Sequence, residues 1–193
     1  MPRTFVAVLL DDETRAAVGA QIERLRPLCR AVAWVPLANL HVTLKFLGQQ
    51  PDARLGEIRD ALADTAGSIA PFSMTLHGLG AFPGIERPRI LWVGMAEGAL
   101  PARDLQSRLE AALEQTGIPR DERSWHPHLT IGRVFDDRRW RREAGPPVRE
   151  AVAEAARRGY GSQTVGRVAL MESHLSPRGA RYTEIASIPL AGT

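Results

Sequence analysis

Cysteine and lysine are almost missing from this 193-residue chain: one Cys, Cys29, and one Lys, Lys45, stand against 24 arginines. A single thiol cannot close an internal disulfide, and Cys29 falls on an apolar helical stripe, where a small buried thiol is expected. Long apolar runs are missing too. Nothing approaches the roughly 18 residues that a membrane-crossing helix needs. The apolar run Thr4 to Leu10 is broken at once by Asp11 and Asp12, so it reads as a first strand and not as a signal peptide. The expected compartment is the cytoplasm. What is present is ordinary: 44% hydrophobic and 24% charged residues sit close to globular averages, which excludes a disordered or fibrous chain. The length suits a single domain, 1–193, of two intimately packed lobes.

The net charge of +3 is local. Arg133 to Arg158 holds eight Arg against five acidic residues, which accounts for the whole excess. A clustered basic surface suits a polyanion such as RNA, but an Arg-rich helix and loop can equally be solvated surface.

Helix signals recur. Asp11, Asp12 and Glu13 supply start chemistry for a stripe of Val18, Ile22, Leu25 and Cys29. A second helix follows Pro51-Asp52 with Leu55, Ile58 and Leu62 inward. A third starts near Pro101 with Leu105, Leu109, Ala112 and Leu113 inward and stops at Gly117; a weaker fourth runs from Pro146-Pro147 to Gly159. Strands are expected over 4–10, 32–35, 41–46, 72–79, 90–95, 128–134, 167–173 and 182–189, with a turn or bulge at Gly78 to Gly84. Strands thus outnumber helices about two to one, and several follow each other with only a loop between. This favours antiparallel pairing and an α+β class. The order of elements also echoes itself once, placing one copy of a short motif in each half.

That motif is His-x-Thr-x with apolar residues at x: His41-Val42-Thr43-Leu44 and His128-Leu129-Thr130-Ile131. In a strand, alternation puts each His and Thr on one face, about 7 Å apart along the strand, and the apolar pair on the other. One copy would be weak, because a lone His on a sheet face is ordinarily a satisfied structural residue; two copies at matching positions are not explained that way. Two imidazoles at one site suit hydrolysis of a phosphodiester. One, neutral, takes a proton from attacking water, and the other, protonated, gives one to the departing oxygen. The Thr hydroxyls can donate to the non-bridging phosphate oxygens. Residue types alone leave the two His interchangeable.

The chain resembles the RNA 2′,3′-cyclic phosphodiesterases of the two-histidine phosphoesterase superfamily, historically called 2′-5′ RNA ligases. The likeness runs nearly end to end, through Arg3 to Ala7, Trp34-Val35, Asn39 to Gly48, Gly78 to Pro83, Leu91 to Gly94, Pro127 to Arg133 and Glu172 to Leu175. The resemblance implies a bilobal α+β fold, with two pseudo-symmetric, mainly antiparallel sheets lining a central cleft and helices outside. It also implies hydrolysis of a terminal 2′,3′-cyclic phosphate to a 2′-phosphomonoester, with His41 as proton donor and His128 as proton acceptor. Thr43 and Thr130 are the expected phosphate-binding residues. Neither a metal nor another cofactor is expected, nor an obligate protein partner, and the chain is expected to be a monomer acting on RNA ends or nucleotides with a 2′,3′-cyclic phosphate. A 2′-5′ linked oligonucleotide, a small cyclic nucleotide, reverse ligation, or RNA binding without turnover are the alternatives.

Four further residues are candidate substrate contacts. Arg133 lies five after His128, so strict alternation turns it away from the site unless the strand twists or ends at Gly132. Lys45, four after His41, shares its face but also reads as a solvated strand-end lysine. His126 could extend the site or form a His-x-His metal pair with His128, though no third ligand stands at a recognisable spacing. Trp34, Trp92, Trp125, Phe82 and Tyr182 could stack on a base, with Tyr182, beside Arg181, the foremost of them.

Overall fold

The Asp11 carboxylate accepts from the Thr14 N–H at 2.8 Å, and helix α1 (Asp12–Leu25) starts there as its capping chemistry requires, burying Val18, Ile22 and Leu25. The computed structural model describes residues 3–176 and 179–192. The remaining helices are α2 (Leu55–Ala66), α3 (Ala99–Gln115), α4 (Asp137–Glu143) and α5 (Pro146–Ala155). The strands are β1 (Arg3–Leu9), β2 (Val32–Trp34), β3 (His41–Gln49), β4 (Phe72–Phe82), β5 (Ile90–Met95), β6 (His128–Val134), β7 (Gly159–Val165), β8 (Arg167–Ser176) and β9 (Gly179–Pro189).

All strand pairs are antiparallel, in the order β7-β4-β5-β6-β3-β1-β8-β9, with β2 added against β6. The motif strands β3 and β6 are neighbours at the centre, joined through one registered pair, Val42 opposite Leu129. The two expected sheets are therefore the two halves of one strongly curled sheet, hinged on that pair. Helices α2 and α3 pack on the half containing β3, and α1 and α5 on the half containing β6.

The main core lies between this helical layer and the sheet. Val42, Leu44, Leu129 and Ile131 point into it at 0–1% exposure. Burying each contributes about 1.5–3 kcal/mol, which anchors the motif strands and leaves their other face to the cleft. A small second cluster, Phe5, Ala7, Ala169 and Met171, floors the cleft on the β1–β8 side. Cys29 is buried as expected, and burial, followed by the nearby Glu143 charge, pushes its thiol up to about 11, so it carries almost no thiolate at neutral pH. Among the described residues, no helix is long and apolar enough to cross a membrane.

Two elements were invisible in the sequence pattern. Helix α4 is seven residues long with Trp140 as its one buried side chain, too short to show periodicity; Asp136 caps it through the Arg139 N–H at 2.9 Å. Strand β7 is a polar edge strand carrying two glycines, and α5 ends at Ala155 to make room for it.

Candidate active site

Extending the Val42–Leu129 register by one residue each way sets His41 across from Thr130, and Thr43 across from His128. The two imidazoles are then diagonal neighbours on one sheet face, roughly 7–8 Å apart by the geometry of antiparallel pairs, with a hydroxyl beside each. The expected cleft, with one motif from each half, is thereby assembled at the centre of the sheet.

Both imidazoles are anchored in the same way. His41 Nδ1 lies 2.7 Å from the Asn39 carbonyl, and His128 Nδ1 lies 2.7 Å from the His126 carbonyl. A carbonyl can only accept, so each Nδ1 carries the hydrogen and each Nε2 is left to take or give a proton. The supports are themselves tied down. The Asn39 amide donates to the Ala180 carbonyl at 2.6 Å, and the Trp125 indole donates to the Thr43 carbonyl at 2.9 Å, joining the approach to the second motif to the first. His126 precedes Pro127, which restricts it to extended backbone.

Immediately after each motif the strand bulges. The β1–β3 register slips between Val6–Lys45 and Ala7–Thr43, leaving Leu44 unpaired, and the β5–β6 register slips between Leu91–Gly132 and Trp92–Thr130, leaving Ile131 unpaired. A bulge sends two successive side chains to the same side. Lys45 therefore follows Leu44 into the core, and Gly132 follows Ile131. The fifth residue after each His, Phe46 and Arg133, comes round to the cleft, and both are exposed, Phe46 at 63%. The strand does turn at Gly132, where a Cβ would stand 2.6 Å from Val32 and 3.2 Å from the Trp34 ring.

Lys45 is thus neither a substrate contact nor a solvated lysine. It is 1% exposed, and its ammonium lies 2.6 Å from Glu110 of α3 and 3.0 Å from the Pro119 carbonyl. Arg133 lies close enough for its charge to act on both imidazoles. Tyr182 lies in β9, with its ring edge-on to His41 at 5.3 Å and to Phe5 at 5.0 Å; Phe5 in turn lies 4.8 Å from His41. Around His128 the corresponding rings are Phe82 at 5.2 Å and Trp92 at 6.4 Å, with His126 beside Phe82. Among the described residues, no third His, Cys, Asp or Glu joins His126 and His128 in a group that could hold a metal. Phe46 and Phe5 were not recognised in the sequence. The signal available was their place in matched stretches, above all the shared offset of five from His41 to Phe46 and from His128 to Arg133.

Burial lowers the basicity of both imidazoles. His41 is held below 6.5 by desolvation, only partly offset by its bond to the Asn39 carbonyl, with the Arg133 and His128 charges adding to the effect. For His128, desolvation again leads, opposed by the His126 carbonyl and reinforced by the His126 and Arg133 charges.

Twin His-x-Thr strands, paired at the centre of a curled antiparallel sheet with both Nε2 atoms free, define a two-histidine phosphoesterase fold. A sequence model described as the 2′-5′ RNA ligase superfamily matches residues 14–176, and the chain belongs to that family. An RNA 2′,3′-cyclic phosphodiesterase of Methanothermobacter thermautotrophicus is 34% identical over 183 residues, covering 95% of this chain and 96% of the relative. The crystal structure of TT0787 from Thermus thermophilus superposes with a TM-score of 0.79 at 29% identity, and that of E. coli LigT complexed with 3′-AMP with a TM-score of 0.71 at 26% identity. Each covers 98% of both chains.

Proposed function

We propose that this protein hydrolyses the 2′,3′-cyclic phosphate at an RNA end to a 2′-phosphate, by acid–base catalysis between His41 and His128. The observation that carries this reading is the matched anchoring of the two imidazoles, each with Nδ1 on the carbonyl two residues before it and Nε2 unpaired. Curated relatives named RNA 2′,3′-cyclic phosphodiesterase support the substrate. His128 Nε2 takes a proton from water as the water oxygen bonds to phosphorus. The P–O3′ bond breaks on the opposite side, and protonated His41 Nε2 delivers its proton to O3′. The 2′-ester bond is untouched, so the product is a 2′-phosphomonoester with a free 3′-hydroxyl. The Thr43 and Thr130 hydroxyls donate to the non-bridging oxygens and Arg133 balances their charge. The exposed Phe46 ring offers a stacking face for the terminal base.

The test is incubation of the protein, in excess chelator, with an RNA ending in a 2′,3′-cyclic phosphate and separately with a 2′-5′ linked dinucleotide. A 2′-phosphate from the first is the expected result. Cleavage of the second alone moves the function to 2′-5′ oligonucleotides, and tight binding with no product from either leaves a binding module.

The pH profile follows from burial. The productive pair holds one proton between two imidazoles, so its population peaks between their two apparent pKa values. Both are lowered, so the bell in kcat/KM should peak below pH 6.5. The bound phosphate anion stabilises the imidazolium, so the kcat profile should lie at higher pH than that of kcat/KM. Rates measured from about pH 4.5 to 9 on a 2′,3′-cyclic mononucleotide check this; a kcat/KM optimum above 6.5 would rule it out.

A further inference from the structure

Beside His128, on the side away from His41, a cavity of about 220 Å³ opens between β4, β5 and the start of α3, lined by Phe82, Trp92, Met95, Ala99, Arg103 and His126. This is much more room than the attacking water, which occupies about 30 Å³, requires. Its walls carry a definite chemistry. The Phe82 and Trp92 rings lie 5.2 Å apart, and Phe82 stands edge-on to His128. Arg103 is exposed, and its helical neighbour Asp104 is bonded to Arg108 at 3.0 Å instead. Aromatic faces next to an uncommitted guanidinium suit a base and a phosphate.

In-line displacement fixes which nucleoside belongs there. The leaving O3′ carries the terminal ribose and base with it, so that nucleoside lies on the His41 side, among Phe5, Phe46 and Tyr182. The attacking oxygen arrives on the His128 side.

We propose that the Phe82–Trp92–Arg103 cavity is an acceptor site for a nucleoside that presents its 5′-hydroxyl to the cyclic phosphate in place of water, with Arg103 on that nucleoside's 3′-phosphate. The proposal rests on the acid–base reading above. In the step it describes, the 5′-oxygen bonds to phosphorus while its proton passes to His128 Nε2. The P–O3′ bond breaks and His41 gives its proton to O3′, leaving a 2′-5′ diester and a free 3′-hydroxyl. The same site holds the departing nucleoside when the step runs backwards.

The test uses adenosine 2′,3′-cyclic phosphate as donor and, as rival acceptors, ethanol and a dinucleoside monophosphate with a free 5′-hydroxyl. The ratio of 2′-5′ linked product to 2′-phosphate is read for each. Because both products come from the same active molecules, the ratio does not depend on how much of a variant folds. In the wild type, the dinucleotide should match ethanol at a concentration at least about tenfold lower, the least that one stacked base contributes. Ala99→Leu, which fills the cavity from α3, and Arg103→Gln should each lower the dinucleotide ratio several-fold while leaving the ethanol ratio in place; Arg108→Gln, one turn further on, should keep both. Equal capture of ethanol and dinucleotide, or an unchanged dinucleotide ratio in both cavity variants, would overturn the acceptor site while hydrolysis, and so the proposed function, stands. Absence of any hydrolysis by the wild type would remove both.

Discussion

His41→Ala and His128→Ala should each lower kcat on a 2′,3′-cyclic phosphate by about 10²–10⁴-fold, the range over which a positioned general acid or base acts. Neither should unfold the protein. Both side chains lie on the cleft face, and the anchors of their strands, Val42 and Leu129, stay in the core. The residual activity also separates the roles. With His128 gone, the remaining requirement is a protonated His41, so the residual rate should fall as pH rises through the His41 pKa. With His41 gone, a neutral His128 is required, and the residual rate should rise with pH. Opposite slopes would exchange the two roles. Wild-type rates in both variants would end the acid–base reading altogether. A further consequence concerns Arg133, whose charge acts on both imidazoles. Arg133→Gln should ease that repulsion in the free enzyme while removing the counter-charge for the phosphate, so KM should rise even as the kcat/KM optimum moves to higher pH.

The site was legible in the sequence wherever alternation holds, and became illegible where it breaks. From His41 to Leu44 and from His128 to Ile131, period-two alternation divides cleft from core, and the structure follows it residue by residue. One position further on, both strands bulge. No local residue pattern announces that, because the extra residue in each case is an ordinary apolar one, Leu44 or Ile131. Strict alternation consequently sent Lys45 towards the cleft and Arg133 away from it, the reverse of their places. The helices with a long apolar stripe were readable for the same periodic reason, whereas α4, held by Trp140 and by the Glu143 carboxylate on the Ala31 N–H at 3.0 Å, depends on contacts more than a hundred residues away in the chain. Its arginines are partly spent within the fold: Arg139 pairs with Glu143 and Arg141 with Asp137. The local charge excess is thus less free than the composition suggests.

Lys45→Met should destabilise the fold by about 3–5 kcal/mol, because it strips the partner from a buried carboxylate. Glu110 is nearly as enclosed as Lys45, with side-chain exposures of 9% and 1%. Without the ammonium, Glu110 keeps only the Gln106 amide at 3.1 Å and the Asp121 N–H at 3.4 Å. The apolar chain of Met can still follow Leu44 into the core, which preserves the bulge and with it the exposure of Phe46. For a chain of this size the loss corresponds to a Tm lower by roughly 10 °C or more, readable by calorimetry. Replacing both partners, Lys45→Met with Glu110→Leu, removes the stranded charge and should recover most of the loss. Failure of the double variant to recover would mean that packing around the pair, and not its charge, is what the fold requires. The pair also bears on the active site. Lys45 and Glu110 fasten the segment after α3 through the Pro119 carbonyl and the Asp121 N–H, and that segment goes on to supply the Trp125 bond to Thr43 and the His126 carbonyl that orients His128. In the folded fraction of Lys45→Met, kcat should therefore fall more than KM rises, because what loosens is the orientation of the base and not the surface that holds the substrate.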